Sequence, residues 1–304
     1  MSDMKVTFAG VEFRNPVVTA SGTFGFGHEY EQFYDLSKLG GICTKGLTFN
    51  GRDGNTPPRI AETAMGMLNS VGLQNPGIKK FIDVELPYLR TLDTNIIANI
   101  AGESIEQFGE MAAMLSDAGG VDMLELNVSC PNVSDGGMLF GTSATSIAAV
   151  TRAVKKNSKI PFMVKLTPNV TDIAEMARAA EGEGADAVSL INTLLGMKID
   201  VETRKPILFN NTGGLSGPAI LPVAVRMVWQ VRNAVKIPIL GMGGIYTGAD
   251  AVEMLLAGAD LVGVGSANIT YPMAPITVLD GLSNYMDSHN ISSVTELSGK
   301  VELN

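Results

Sequence analysis

The chain is poor in the residues on which several large classes of protein depend. Among its 304 residues are two cysteines, Cys43 and Cys130, two histidines, His28 and His289, and one tryptophan. Two thiols cannot build a disulfide framework, and an iron–sulfur cluster takes about four thiolates. Both thiols are expected to be free, which fits a reducing cytoplasm. Neither histidine falls in a catalytic pattern, so surface roles are expected for both. Basic charge is also scarce: 22 Lys and Arg against 31 Asp and Glu give a formal net charge of -9. A general binder of nucleic acid or of an anionic membrane needs a basic face, so the balance argues against both. No apolar run is long enough to span a bilayer, and Met1 to Thr7 has no apolar signal core. No linker or low-complexity tract divides the chain, and no Gly-rich dinucleotide turn follows an early strand.

What the chain does have is a recurrent alternation. Apolar, β-branched runs occur at Asn15 to Ser21, Ile42 to Gly46, Asn95 to Asn99, Asp122 to Val128, Pro161 to Leu166, Asp186 to Ile191, Pro238 to Met242 and Asp260 to Val264. Amphipathic stretches lie between them, among them Glu103 to Asp117, Ser143 to Lys156, Thr171 to Glu181, Ala219 to Asn233 and Gly248 to Ala257. Continuous apolar strands covered by helices predict a parallel sheet. This number of units in one chain predicts an α/β fold, a closed (β/α)8 TIM barrel, as a single domain over residues 1–304. An open doubly wound sheet would have fewer units and a Gly-rich turn after its first strand. Lys5 to Phe13 alternates around Gly10 and predicts a short N-terminal hairpin over the bottom of the barrel. Inserted loops are expected at the opposite, C-terminal face.

In such a barrel the active site lies at the carboxyl ends of the strands. Ser21, Lys45, Asn99, Asn127, Lys165 and Asn192 all fall at or just past predicted strand ends. Each alone has an ordinary explanation, since a strand-end Asn is commonly a turn residue and a Lys is commonly solvated. Together they predict one polar mouth. Just past the fourth strand, Asn127-Val128-Ser129-Cys130-Pro131-Asn132 holds a thiol between two carboxamides. The carboxamides can bind a flat polar heterocycle, and the thiol can move a proton. Gly241-Met242-Gly243-Gly244 and Gly263-Val264-Gly265-Ser266 follow the last two strands, where barrels commonly bind phosphate through backbone N–H groups. Lys165 would set a positive charge against a flavin's electron-rich end and favour hydride acceptance. The competing explanation of Lys165 is a barrel lysine paired with a neighbouring carboxylate.

The segments TASGTFGFG (Thr19 to Gly27), TKGLT (Thr44 to Thr48), NSVGLQNPG (Asn69 to Gly77), NVSCPN (Asn127 to Asn132), VKLTPN (Val164 to Asn169), GGLSGPAI (Gly213 to Ile220), GMGGI (Gly241 to Ile245) and GVGSAN (Gly263 to Asn268), with Asn192 and Thr193 between them, make the chain resemble dihydroorotate dehydrogenase over nearly its whole length. Cys130 in place of a serine base, and a start almost at the barrel, resemble the soluble class 1. INTLLGM (Ile191 to Met197) and GGLSGPAI resemble the NAD-linked class 1B catalytic subunit.

The resemblance implies a function and a set of site residues. FMN contacts are implied for Ser21, Lys45, Gly46, Asn99, Asn127, Lys165, Ile191, Gly217, Gly243, Gly244, Gly265 and Ser266. Substrate contacts to dihydroorotate or orotate are implied for Lys45, Asn69, Ser70, Val71, Gly72, Leu73, Asn127, Asn192 and Thr193, and Cys130 is implied as the catalytic base. The glycines around the cysteine loop lead us to expect Met138 to Phe140 to close over the substrate. The resemblance further implies a homodimer core within a heterotetramer, whose partner electron-transfer subunit carries FAD and a [2Fe-2S] cluster, in the cytoplasm. The alternatives are a fumarate-dependent class 1A enzyme or another FMN barrel acting on pyrimidines, such as a tRNA dihydrouridine synthase, which the acidic net charge disfavours.

Cys43, inside a predicted strand, is expected to be structural. The Cys130→Ala variant should therefore retain bound flavin but reduce it very slowly with dihydroorotate in stopped-flow absorbance. The wild-type rate should climb with pH toward the ionisation of a thiol near ~8.5.

Overall fold

The computed structural model describes residues 2–128 and 140–304. Among these the strands, in chain order, are β1 (Val6–Phe8), β2 (Val11–Phe13), β3 (Val17–Thr19), β4 (Gly41–Cys43), β5 (Ile60–Thr63), β6 (Gly66–Asn69), β7 (Asn95–Ile100) and β8 (Met123–Asn127). They continue with β9 (Phe162–Lys165), β10 (Ala187–Leu190), β11 (Leu194–Gly196), β12 (Ile199–Asp200), β13 (Lys205–Pro206), β14 (Gly213–Ser216), β15 (Ile239–Met242) and β16 (Leu261–Val264).

Each of the predicted apolar runs forms a barrel strand. β3, β4, β7, β8, β9, β10, β15 and β16 pair in parallel in that order, and β16 returns to β3, so the sheet is closed. Closure rules out the open doubly wound sheet. These strands are buried along nearly their whole length because helices cover one face and the barrel interior fills the other. The covering helices begin where the sequence supplies caps. Ser104 Oγ accepts from Gln107 N–H before the helix Ile105–Ala118, Ser143 caps Ala144–Asn157 and Asp172 caps Ile173–Gly182. Thr247 and Asp250 form a reciprocal capping box at the start of Gly248–Ala257.

β1 and β2 form the expected hairpin. Ala9 and Gly10 turn it with positive φ values of 49° and 82°, the pairing that a two-residue turn between twisted strands requires. Phe8 and Phe13 are fully or almost fully buried and meet edge-on with ring centroids 6.1 Å apart. Asn95, the first residue of β7, donates to the Glu12 carbonyl at 2.9 Å, so the hairpin covers the amino end of the barrel.

The C-terminal face carries more order than the inserted loops expected there. β5, β6, β14 and β11 form a second, antiparallel sheet in the order β11-β14-β6-β5. The pairing Gly214↔Asn69 and Leu194↔Leu215 joins the segment after β4 to the segment after β10. Residues distant in the chain thus reach the same side of the barrel mouth.

The helices Gly248–Ala257 and Ala274–Ser288 cross where two glycines meet. A Cβ at Gly248 would lie 2.3 Å from the Gly281 carbonyl carbon. Gly248→Ala should cost about 1–3 kcal/mol through overpacking, despite the better helix propensity of alanine. Urea unfolding followed by circular dichroism measures this, and unchanged stability would mean that the crossing relaxes freely.

Candidate active site

The carboxyl ends of the barrel strands and the second sheet enclose a cavity of about 260 Å³. Ser21, Lys45, Gly46, Asn99, Asn127, Lys165, Ile191, Gly243, Gly244, Gly265 and Ser266 line it, as do Asn69, Val71, Gly72, Leu73, Asn192 and Thr193. The predicted site residues are therefore brought together from nearly every strand end. Two are set back from the wall. Ser70 is fully buried behind it, with its backbone N–H bonded to the Arg59 carbonyl at 2.8 Å. Gly217 has φ 111° and passes so close to Gly66 that a Cβ there would lie 2.5 Å from the Gly66 Cα. Its role is to let two backbones approach. Cys130 lies outside the described residues, as do Met138 and Leu139 of the expected lid. Phe140, the third lid residue, is buried and packs edge-on against Phe108 with ring centroids 5.9 Å apart. In this structure it is anchored in the barrel's outer core.

The floor of the cavity is a polar layer that the sequence reading only half anticipated. Glu125, in the middle of β8, is completely buried. Its Oε1 accepts from Ser189 Oγ at 2.8 Å, and its Oε2 accepts from Asn99 Nδ2 at 2.5 Å and from Cys43 Sγ at 3.3 Å. The Lys165 ammonium lies 3.4 Å from the same Oε2 and donates to Ser21 Oγ at 3.0 Å. Barrel register explains the grouping: Asn99 pairs with Glu125 across β7 and β8, and Lys165 pairs with Ser189 across β9 and β10. Lys165 thus has the neighbouring carboxylate weighed as its competing explanation, and it also lines the cavity. Glu125 lies inside an apolar run, where hydrophobic pattern does not single it out. The available signal was a carboxylate at a strand position flanked by Leu124 and Leu126, which must find partners or not be charged.

Electrostatics follow from this packing. Burial alone pushes the Glu125 carboxyl up, but the Lys165 charge and hydrogen bonds from Ser189, Asn99 and Cys43 outweigh it and hold it below its ordinary value. Burial pushes the Cys43 thiol well above its ordinary value, and the nearby Glu125 charge adds to the rise. Cys43 is therefore a protonated donor to the carboxylate, more than the simple strand filler expected. His28 sits on the outside against Glu85 at 3.0 Å and stacks on Tyr88, and His289 stacks on Tyr285, in keeping with surface roles.

Because an ionised carboxylate only accepts, Glu125 dictates the orientation of the Asn99 amide. The NH2 faces Glu125, and Oδ1 is left buried with no donor among the described residues. Asn99 Oδ1 lies beside Gly46, where a Cβ would come within 2.7 Å of it. A buried acceptor of this kind fits a ligand that carries a ring N–H. On the far side, Gly243 and Gly244 have φ values of 127° and 81°; Gly244 runs against Leu221 at the start of the helix Leu221–Arg232, and Gly243 against Ala224 one turn further on. That backbone suits an anionic group. Asn192 Nδ2 reaches Asn127 Oδ1 at 3.5 Å across the mouth. Among the described residues no group of three or more His, Cys, Asp or Glu could hold a metal ion, and no helix is long and apolar enough to cross a membrane.

The dihydroorotate dehydrogenase family profile matches residues 3–286. The chain belongs to the dihydroorotate dehydrogenase family. A protein of Alkaliphilus metalliredigens, named as the catalytic subunit of dihydroorotate dehydrogenase B (NAD(+)), is 57% identical over 299 residues, covering 98% of this chain and 99% of that one. A protein of the same name from Geobacter sp. (strain M21) is 52% identical over 301 residues, covering 99% of each. These names bear out the resemblance to the NAD-linked class. The crystal structure of DHODH from Eimeria tenella in complex with ferulenol superposes with a TM-score of 0.81 at 21% identity, over 98% of this chain and 88% of that one, a likeness of fold.

The lowered Glu125 value has a consequence for acid stability. A carboxyl whose folded value lies below its unfolded value stabilises the fold above the unfolded value, near 4.5, and loses that contribution as pH falls through the folded one. The stability gap between wild type and Glu125→Gln should thus be constant from neutrality down to that point and shrink below it. Urea midpoints over a pH series check this, and a gap independent of pH would contradict the ionised assignment.

Proposed function

We propose that this chain, as one FMN-binding barrel domain over residues 1–304, oxidises dihydroorotate to orotate in de novo pyrimidine (UMP) synthesis. The observation that carries the reading is the convergence of Lys45, Asn99, Asn127, Lys165, Asn192 and the glycines of two consecutive strand-end loops on one cavity. Gly243, Gly244, Gly265 and Ser266 would hold the phosphate of FMN, and Ser21, Gly46, Asn99, Lys165 and Ile191 its ring. When bound, FMN supplies the acceptor for the hydride that leaves C6 of dihydroorotate.

The remaining work falls to the chain's own groups. Lys45 attracts the substrate carboxylate, and Asn69, Asn127 and Asn192 match the polar edge of the pyrimidine. An analogue that leaves one of these groups buried and unmatched loses about 1–3 kcal/mol. Cys130, as thiolate, takes the proton from C5. A partner subunit bearing FAD and a [2Fe-2S] cluster, docked on a homodimer of this chain within a heterotetramer in the cytoplasm, would supply the route for the electrons to NAD. The relatives' printed names, which call each a catalytic subunit linked to NAD(+), support a partner subunit and NAD as the acceptor.

An anaerobic experiment tests the proposal. The purified chain, loaded with FMN, is mixed with dihydroorotate while the visible flavin band is followed; NAD or fumarate is then added. We expect bleaching by dihydroorotate and no return of colour with either acceptor until the partner subunit is supplied. Rapid return with fumarate alone would indicate the class 1A reaction, and absence of bleaching would refute the substrate.

A further inference from the structure

The buried carboxylate beneath the cavity is not needed to bind a phosphate, a flavin ring or a pyrimidine, since none of its atoms lines the wall. It is nonetheless placed at the centre of the polar layer. Four side chains on four different strands converge on it: Cys43 at the end of β4, Asn99 on β7, Lys165 on β9 and Ser189 on β10. A barrel interior needs only apolar side chains to be filled. Replacing a buried ion pair by apolar residues of similar volume is frequently neutral or stabilising. Stability alone therefore gives no reason for a carboxylate at this position.

Its position gives it two effects on the cavity wall. It draws Lys165 Nζ to 3.4 Å, with Ser21 Oγ as the second acceptor at 3.0 Å, so the ammonium is held by groups from two different strands. It also fixes which end of Asn99 faces the cavity, because only the amide NH2 can meet a carboxylate. The charge beneath the wall is then a close plus–minus pair, not a bare cation. A bare ammonium favours added electron density above it more strongly than a compensated one does.

We propose that Glu125 is the positioning residue of this site: it holds Lys165 and Asn99 in their cofactor-facing geometry and, by offsetting the ammonium charge, lowers the reduction potential of the flavin bound above them. This rests on the FMN reading given above. Glu125 acts through its neighbours and is not itself a catalytic residue.

The test compares full-length wild type, Glu125→Gln and Glu125→Asp. Three quantities are read on each: flavin content after purification with FMN, thermal midpoint, and flavin reduction potential by equilibration against reference dyes. Glu125→Gln removes the compensating charge with almost no change of volume. We expect it to retain flavin and to shift the reduced-to-oxidised ratio at fixed poise at least tenfold toward reduced, which is about 30 mV upward for a two-electron couple. Glu125→Asp keeps the charge but retracts it from Lys165, and should fall between the other two. A residue with a purely structural role would lower the thermal midpoint and leave the potential alone.

A flavin-loaded Gln variant at the wild-type potential overturns the tuning role while leaving the flavin reading intact. If Gln does not fold, Asp at the wild-type potential overturns it equally. Failure of both variants to fold would assign Glu125 to the fold and not to the cofactor. A wild-type chain that takes up no FMN overturns the flavin reading itself, and the tuning role falls with it.

Discussion

The ion pair between Glu125 and Lys165 is the constraint around which the barrel mouth is organised. Both side chains are almost wholly removed from water, at 0% and 4% exposure. Taking each charge out of water costs roughly several kcal/mol, and mutual attraction offsets this only when the remaining hydrogen-bonding capacity is also met. The structure meets it from every side. Ser189, Asn99 and Cys43 supply donors to the carboxylate, and Ser21 supplies an acceptor to the ammonium. These partners come from β7, β10 and the ends of β3 and β4, and the pair itself from β8 and β9, so satisfying one pair of charges ties together most of the circumference. The cavity-facing orientation of Asn99 is a by-product of that requirement.

The second organising element is the antiparallel sheet on the C-terminal face. A barrel provides strand ends arranged in a ring, but by itself it gives an open bowl. β5, β6, β11 and β14 build a wall on one side of that bowl, and the wall carries Asn69 and Met67 from one excursion and Thr193 and Ser216 from another. Asn69 Nδ2 donates to the Gly214 carbonyl at 3.3 Å, which joins the two excursions at the cavity edge. The backbones approach closely there: a Cβ at Gly214 would collide with the Thr193 side chain, and one at Gly66 with the Ser216 carbonyl. Glycine at these positions is a packing requirement of the wall, separate from the glycines of the phosphate-suited loops.

Charge is distributed to match. The molecule is acidic overall, with a net charge of -9, yet among the described residues the cavity is lined by Lys45 and Lys165 and by no carboxylate. A local cationic wall on an acidic body favours small anions over long polyanions. That distribution agrees with membership of a family of small-molecule dehydrogenases.

The amino-acid sequence by itself determined the strand–helix alternation, the terminal hairpin and the identity of the residues at the strand ends. All of these depend on local pattern: β-branched runs of strand length, caps at helix starts, and polar residues one or two positions past an apolar run. Membership of the family was legible too, because it resides in short ordered segments. What only the tertiary structure decided was which of those residues share a wall. Closure of β16 onto β3 sets Ser21 against Lys165, and strand register sets Asn99 and Ser189 against Glu125. Antiparallel pairing brings Asn69 to Gly214. Ser70 falls just behind the wall because a one-residue step along a strand reverses the side on which a side chain lies, and Gly217 because its backbone is packed against Gly66. Glu125 escaped notice because hydrophobic pattern reports that a position is buried and not what it meets there. Its partners are separated from it by 26 to 82 positions in the chain, a distance over which only the folded barrel makes them neighbours.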